Sequence, residues 1–107
     1  MQELNKHIDE LRALCDLYNV ESLYVFGSAS TDSLKKSSDI DLLVKFKQFD
    51  IAKYFVNYME FKSRLKSLFK RDIDLVEEQS LKNPILINSI NRTKELVYGS
   101  KDSKVAS

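Results

Sequence analysis

The chain has 107 residues, a length that fits one compact domain and leaves no room for a second. Its 43% hydrophobic and 31% charged side chains describe an ordinary globular protein with a rather charged surface. Seventeen Lys and Arg nearly cancel sixteen Asp and Glu, and the formal charge of +1 offers no general attraction for a nucleic-acid backbone or an anionic membrane.

The opening Met1-Gln2-Glu3-Leu4-Asn5-Lys6 lacks the basic start and apolar core of a signal peptide, and no apolar run approaches the roughly 18 residues that span a bilayer. A cytoplasmic protein is expected, with no membrane contact and no direct nucleic-acid binding. Leu4, Ile8, Leu11, Leu14, Cys15 and Tyr18 recur at helical spacing, so about the first nineteen residues are expected to form one amphipathic helix. Cys15, the sole cysteine, falls on the apolar stripe and reads as a buried, inert thiol. A disulfide within the chain and a multi-thiolate metal site are excluded. His7, the sole histidine, reads as a surface or edge residue.

Leu23-Tyr24-Val25-Phe26 is a β-rich run that stops at Gly27-Ser28, and it is expected to be the first strand. Residues 29–38 are small, polar or basic and read as a loop. The second strand is expected over Asp39–Phe46, with Ile40, Leu42 and Val44 on one face. From Ile51 to Phe69 the period is helical, with Asp50 as the N-cap and Ile51, Tyr54, Phe55, Tyr58, Leu65 and Phe69 on one side. Phe61 is expected toward the margin of that stripe, and Val56 and Met59 outside its centre, leaving part of the helix free to dock a partner. Lys62 interrupts the stripe, either snorkelling at the edge of the core or reaching a phosphate.

A third strand is expected over Asp72–Val76. A short helix follows Ser80, carrying Ile85, Leu86 and Ile90, with Pro84 at its beginning. Leu96-Val97-Tyr98 reads as an edge strand before Gly99. Residues 1–99 thus form one α/β sandwich, a mixed sheet of three to four short strands flanked by helices. The polar residues 100–107 are expected to be a disordered tail.

Three fragments carry the chemistry. Asp39-Ile40-Asp41 places two carboxylates on one face of an otherwise apolar strand, where they repel unless a cation lies between them. Magnesium suits that demand, since it takes a few carboxylates together with phosphate oxygens. By itself an Asp-x-Asp usually just flanks the exposed start of a strand. Gly27-Ser28 lets the backbone turn sharply and a phosphate come close, although alone it is only a turn. In Arg71-Asp72-Ile73-Asp74-Leu75-Val76 an aspartate again sits in an apolar strand. If the second and third strands are neighbours, Asp74 reaches the face of Asp39 and Asp41, while Asp72 stays solvated at the strand's entrance.

Gly27-Ser28, then Ser38-Asp39-Ile40-Asp41-Leu42-Leu43-Val44 with ten residues between Ser28 and Asp39, and then Asp72-Ile73-Asp74-Leu75-Val76 resemble the nucleotidyltransferase-fold superfamily. Within it the chain is similar to the minimal nucleotidyltransferases (MNT), antitoxins encoded beside a HEPN-domain partner. The resemblance implies a nucleotidyltransferase-fold sandwich that transfers a nucleotide, AMP from ATP, to an acceptor hydroxyl such as a tyrosine of the HEPN-type toxin. It also implies that Asp39, Asp41 and Asp74 are catalytic and hold Mg2+, and that Gly27 and Ser28 bind the nucleotide phosphates. The implied alternatives are an antitoxin that neutralises its partner by contact alone and a small-molecule adenylyltransferase. Many members read Gly-Ser-x-Ala-Arg-Gly after the first strand, whereas Thr31 and Asp32 stand at the Arg and second Gly positions here. A cation is lost and an anion gained beside the expected triphosphate; Lys35 or Lys36 would have to compensate.

Overall fold

The computed structural model of the protein describes residues 2–26, 39–47 and 50–99. Its elements are α1 (Gln2–Lys6), α2 (Ile8–Leu17), β1 (Val20–Phe26), β2 (Ile40–Phe46), α3 (Ile51–Phe69), β3 (Ile73–Glu77), a 3₁₀ turn (Glu78–Ser80), α4 (Pro84–Thr93) and β4 (Glu95–Tyr98). The expected single N-terminal helix is broken at His7, whose N–H bonds to the Leu4 carbonyl in a tighter turn before α2 starts. The apolar stripe survives the break: Leu4, Leu11 and Cys15 are all buried.

β1 begins three residues earlier than its apolar run. Asn19, at φ +62°, turns the chain out of α2, and Val20 and Ser22 are both buried in the new strand. Its polar entry hides it from a pattern search for strand residues. α3 keeps the expected bounds, because Asp50 caps it by accepting the Ala52 N–H at 3.0 Å and Lys70 closes it in the left-handed conformation. α4 starts at Pro84, where a missing N–H costs nothing, and the Asn83 side chain accepts the Ile85 N–H at 2.9 Å.

The four strands lie in the order β3-β2-β1-β4. β1 pairs antiparallel with β2 and with β4, and α3 supplies the crossover that makes β2 and β3 parallel. β4 closes at Gly99, φ +104°, where an added Cβ would lie 2.5 Å from the Glu21 carbonyl oxygen. On one face Leu23, Val25, Ile40, Leu42, Val44, Ile73 and Leu75 pack under α2 and α3. On the other, Tyr24, Leu43 and Ile90 form a smaller cluster joined by Phe26, Val76, Leu81 and Leu96. The sheet is therefore mixed and four-stranded, with helices on both faces.

The side of α3 that enters the core differs from the expected stripe. Phe61 is fully buried with Leu65 and Phe69, whereas Ile51 and Phe55 are exposed. The ring of Phe61 meets Tyr18 and Phe46 with centroids 5.7 and 5.9 Å apart. Lys62 is half-buried. Toward its amino end the helix contributes Tyr54 and Tyr58, which keep their rings on the core and their hydroxyls on β3: Tyr58 donates to the Leu75 carbonyl at 2.6 Å, and Tyr54 donates to Glu77. The tail over 100–107 lies outside the described residues.

Candidate functional site

β2 and β3 run parallel with Asp41 directly beside Asp74, and Ile40 and Leu42 beside Ile73 and Leu75. Neighbouring strands lie about 4.8 Å apart. The isoleucines and leucines turn to the face under α2 and α3, so the two aspartates share the opposite one. Asp41 is half-buried and Asp74 exposed. The strand register thus brings together two of the three predicted carboxylates.

Asp39 stands one residue before β2, exposed, at the sheet's entrance rather than within it. A backbone bond from the Ile40 N–H to the Asp72 carbonyl at 3.0 Å ties this entrance to β3. Asp39 still acts on Asp41. The Asp41 carboxyl is raised above its ordinary 3.8, first by burial, then by the charge of Asp74, then by that of Asp39. Among the described residues, each of these influences is unfavourable to ionisation. Among the described residues, none of the three aspartates takes part in an ion pair.

Asp72, the fourth carboxylate of this stretch, is set apart as expected: it is exposed and pairs with Lys66 of α3 at 3.1 Å. Among the described residues no three His, Cys, Asp or Glu side chains are drawn together tightly enough to hold a metal ion as they stand. The donor set nevertheless fits a hard divalent cation: oxygen ligands only, like in charge, and close enough to raise the pKa of Asp41. β1 delivers its last residue, Phe26, to the other side of Asp41. Gly27, Ser28, Thr31, Asp32, Lys35 and Lys36 follow it in sequence and lie outside the described residues.

Sequence reasoning missed a second polar group at the other end of the parallel pair. Ending the third strand at Val76 left Glu77 unplaced, yet Glu77 is the last residue of β3 and accepts from the Tyr54 hydroxyl and from the Gln79 amide, the latter at 3.4 Å. Glu77 holds the Tyr54 hydroxyl protonated, adding to the effect of burial, which is the larger cause. A glutamate in register with the buried Ile73 and Leu75 was the available signal.

No described helix is long and apolar enough to cross a membrane. A profile of the family described as Polymerase beta, Nucleotidyltransferase matches residues 9–103. A Methanocaldococcus jannaschii protein, provisionally named a protein adenylyltransferase, is 34% identical over 95 residues, 89% of each chain. The protein adenylyltransferase MntA of Thermococcus cleftensis is 33% identical over 95 residues, 89% of this chain and 87% of its own. A Shewanella oneidensis structure, a tri-AMPylated HEPN toxin in complex with an MNT antitoxin, superimposes with a TM-score of 0.62 over 94% of this chain and 74% of that one, at 24% identity.

Proposed function

The chain belongs to the Polymerase beta nucleotidyltransferase family, and we propose that it transfers AMP from ATP to a hydroxyl of a HEPN-type toxin, acting as its antitoxin. The observation that carries the chemistry is the register of Asp41 with Asp74, whose charge adds to burial in making Asp41 harder to ionise than an ordinary carboxylate. Such an arrangement is stabilised by a bound cation. Asp39, Asp41 and Asp74 are the residues that would hold magnesium, which when bound supplies charge neutralisation for a triphosphate and for the attacking and leaving oxygens.

The chain's own groups have separate tasks. Asp39 and Asp41 would hold that ion where the triphosphate end of the nucleotide binds. Asp74, on the neighbouring strand and more exposed, faces the acceptor and takes the proton of its hydroxyl. The freed oxygen forms a bond to the α-phosphorus, the bond from that phosphorus to the bridging oxygen breaks, and pyrophosphate leaves. Positioning and charge provide most of the acceleration in such a transfer. Gly27 and Ser28 would accept the pyrophosphate portion. The names of the relatives support a protein acceptor: two are protein adenylyltransferases, and the solved complex holds an AMPylated HEPN toxin beside its antitoxin. A cytoplasmic setting suits the buried, free Cys15.

The test is calorimetric titration of ATP with and without magnesium into the native chain and its Asp39→Asn and Asp41→Asn variants. Binding should require magnesium and disappear in both variants. Undiminished magnesium–ATP affinity in both would remove the carboxylates from the site.

A further inference from the structure

α3 carries four large apolar side chains on its outer surface: Ile51 is 87% exposed, Phe55 71%, Val56 56% and Met59 47%. Ile51, Phe55 and Met59 recur every fourth residue and form one ridge, with Val56 on its flank. Single apolar residues scattered over a surface need no explanation, but a continuous run along one helix marks a contact surface.

Beside the ridge lies a cavity of ≈ 340 Å³ whose lining includes Phe46, Tyr54, Glu77 and Glu78. Tyr54 is the shared wall: it lines the cavity, while Ile51, one turn earlier, adjoins it on the helix. The Phe46 and Tyr54 rings meet edge to face, centroids 5.6 Å apart. Lys45, the cation among the described lining residues, is held by Glu21 at 3.1 Å and also feels the charge of Glu78. Two aromatic walls beside two carboxylates make an environment suited to a cationic group.

We propose that ridge and cavity together are the docking surface for the acceptor protein, which covers Ile51, Phe55 and Met59 with apolar side chains and inserts a lysine or arginine between Phe46, Tyr54 and the Glu77–Glu78 pair. This rests on the protein-acceptor reading above and adds how that acceptor is held. β3 is an edge strand, and Glu77 lies three residues beyond Asp74 on it, so a partner seated here borders the strand that carries the proposed base. Asp74 itself is on the opposite face, which a large partner reaches around the edge. Residues 100–107 offer Lys101 and Lys104 but only Val105 as a large apolar side chain, and they follow β4 at the far edge of the sheet.

The test measures binding of the HEPN-domain protein encoded beside this chain's gene, without nucleotide so that transfer plays no part. Phe55→Asp and Glu78→Lys should each weaken binding at least tenfold, while magnesium–ATP affinity and melting temperature stay at native values; Phe55→Ser replaces Phe55→Asp if the latter folds poorly. Asp41→Asn should bind the partner normally, which separates docking from the carboxylate site. Affinity within twofold of native for the folded ridge and cavity variants overturns the proposal. A native chain that does not bind the HEPN protein overturns it together with the partner reading. A native dimer that Phe55→Asp converts to monomer reassigns the ridge to a second copy. A tenfold gain in partner affinity on truncation after Gly99 reassigns the cavity to the chain's own last residues.

Discussion

Asp41 of β2 and Asp74 of β3 are register neighbours in the parallel part of the sheet, and Asp41 is harder to ionise than an ordinary carboxyl, first because it is partly buried and then because of the charge of Asp74. Two like charges at adjacent strand positions destabilise a sheet, and a fold that keeps them there has placed a demand for positive charge at that point.

The demand has a pH signature in the metal-free protein. A carboxyl whose folded pKa is raised binds its proton more tightly folded than unfolded. Stability is therefore lost as pH rises from the ordinary 3.8 through the raised folded value of Asp41, and it is regained in acid. Asp41→Asn removes the penalty. Urea unfolding should show this variant more stable than native by up to about 1 kcal/mol at pH 7, and the difference should vanish below pH 3.8. A less stable variant at pH 7 would mean that the Asp41 carboxylate is favourably paired.

Magnesium with ATP should stabilise the native chain and not Asp41→Asn. At ligand concentrations 100-fold above Kd the gain is about 2.7 kcal/mol, readable as a higher melting temperature. Equal shifts in both proteins would place the nucleotide elsewhere.

Asp74 and Asp72 should separate cleanly. Asp74→Asn is expected to lose transfer by about 10²–10⁴-fold, the range for a positioned general base, with much smaller loss of nucleotide affinity. Asp72→Asn removes an exposed pair with Lys66, a change of about 0–1 kcal/mol in stability, and should transfer at near-native rate. Single-turnover kinetics distinguish them.

The orientation of α3 makes a prediction about stability alone. Phe61→Ala empties a fully buried position and should cost about 3–5 kcal/mol. Phe55→Ala, on the exposed ridge, should stay within about 0.5 kcal/mol of native. Cys15, whose thiol burial pushes up to about 12, should resist thiol reagents in the folded protein at pH 8 and react on unfolding.

Much of this was legible from residue order. Periodicity and an N-capping Asp50 set the bounds of α3, and Pro84 marked the start of α4. Strand alternation placed Asp41 and Asp74 opposite their apolar neighbours, given adjacent strands. Four features were not legible. His7 carries no breaker signal, and its turn depends on how α1 meets the core. The Val20-Glu21-Ser22 entry to β1 is polar in part, because Ser22 is buried by tertiary packing and not by its own hydropathy. The wide apolar arc of α3 allowed two orientations, and only the positions of Tyr18 and Phe46 select the one that buries Phe61. The Tyr54–Glu77 contact joins residues 23 apart and had no local signature.

The central claim, that Asp39, Asp41 and Asp74 direct AMP onto a protein hydroxyl, is tested most directly by intact-mass spectrometry of the HEPN-domain partner after incubation with this chain, ATP and magnesium. The mass should rise by one adenylyl group per modified hydroxyl, and Asp39→Asn or Asp74→Asn should abolish the rise. A partner that binds tightly and stays unmodified with the native chain would contradict the claim and leave an antitoxin acting by contact alone, with Thr31 and Asp32 as the positions where catalysis was lost.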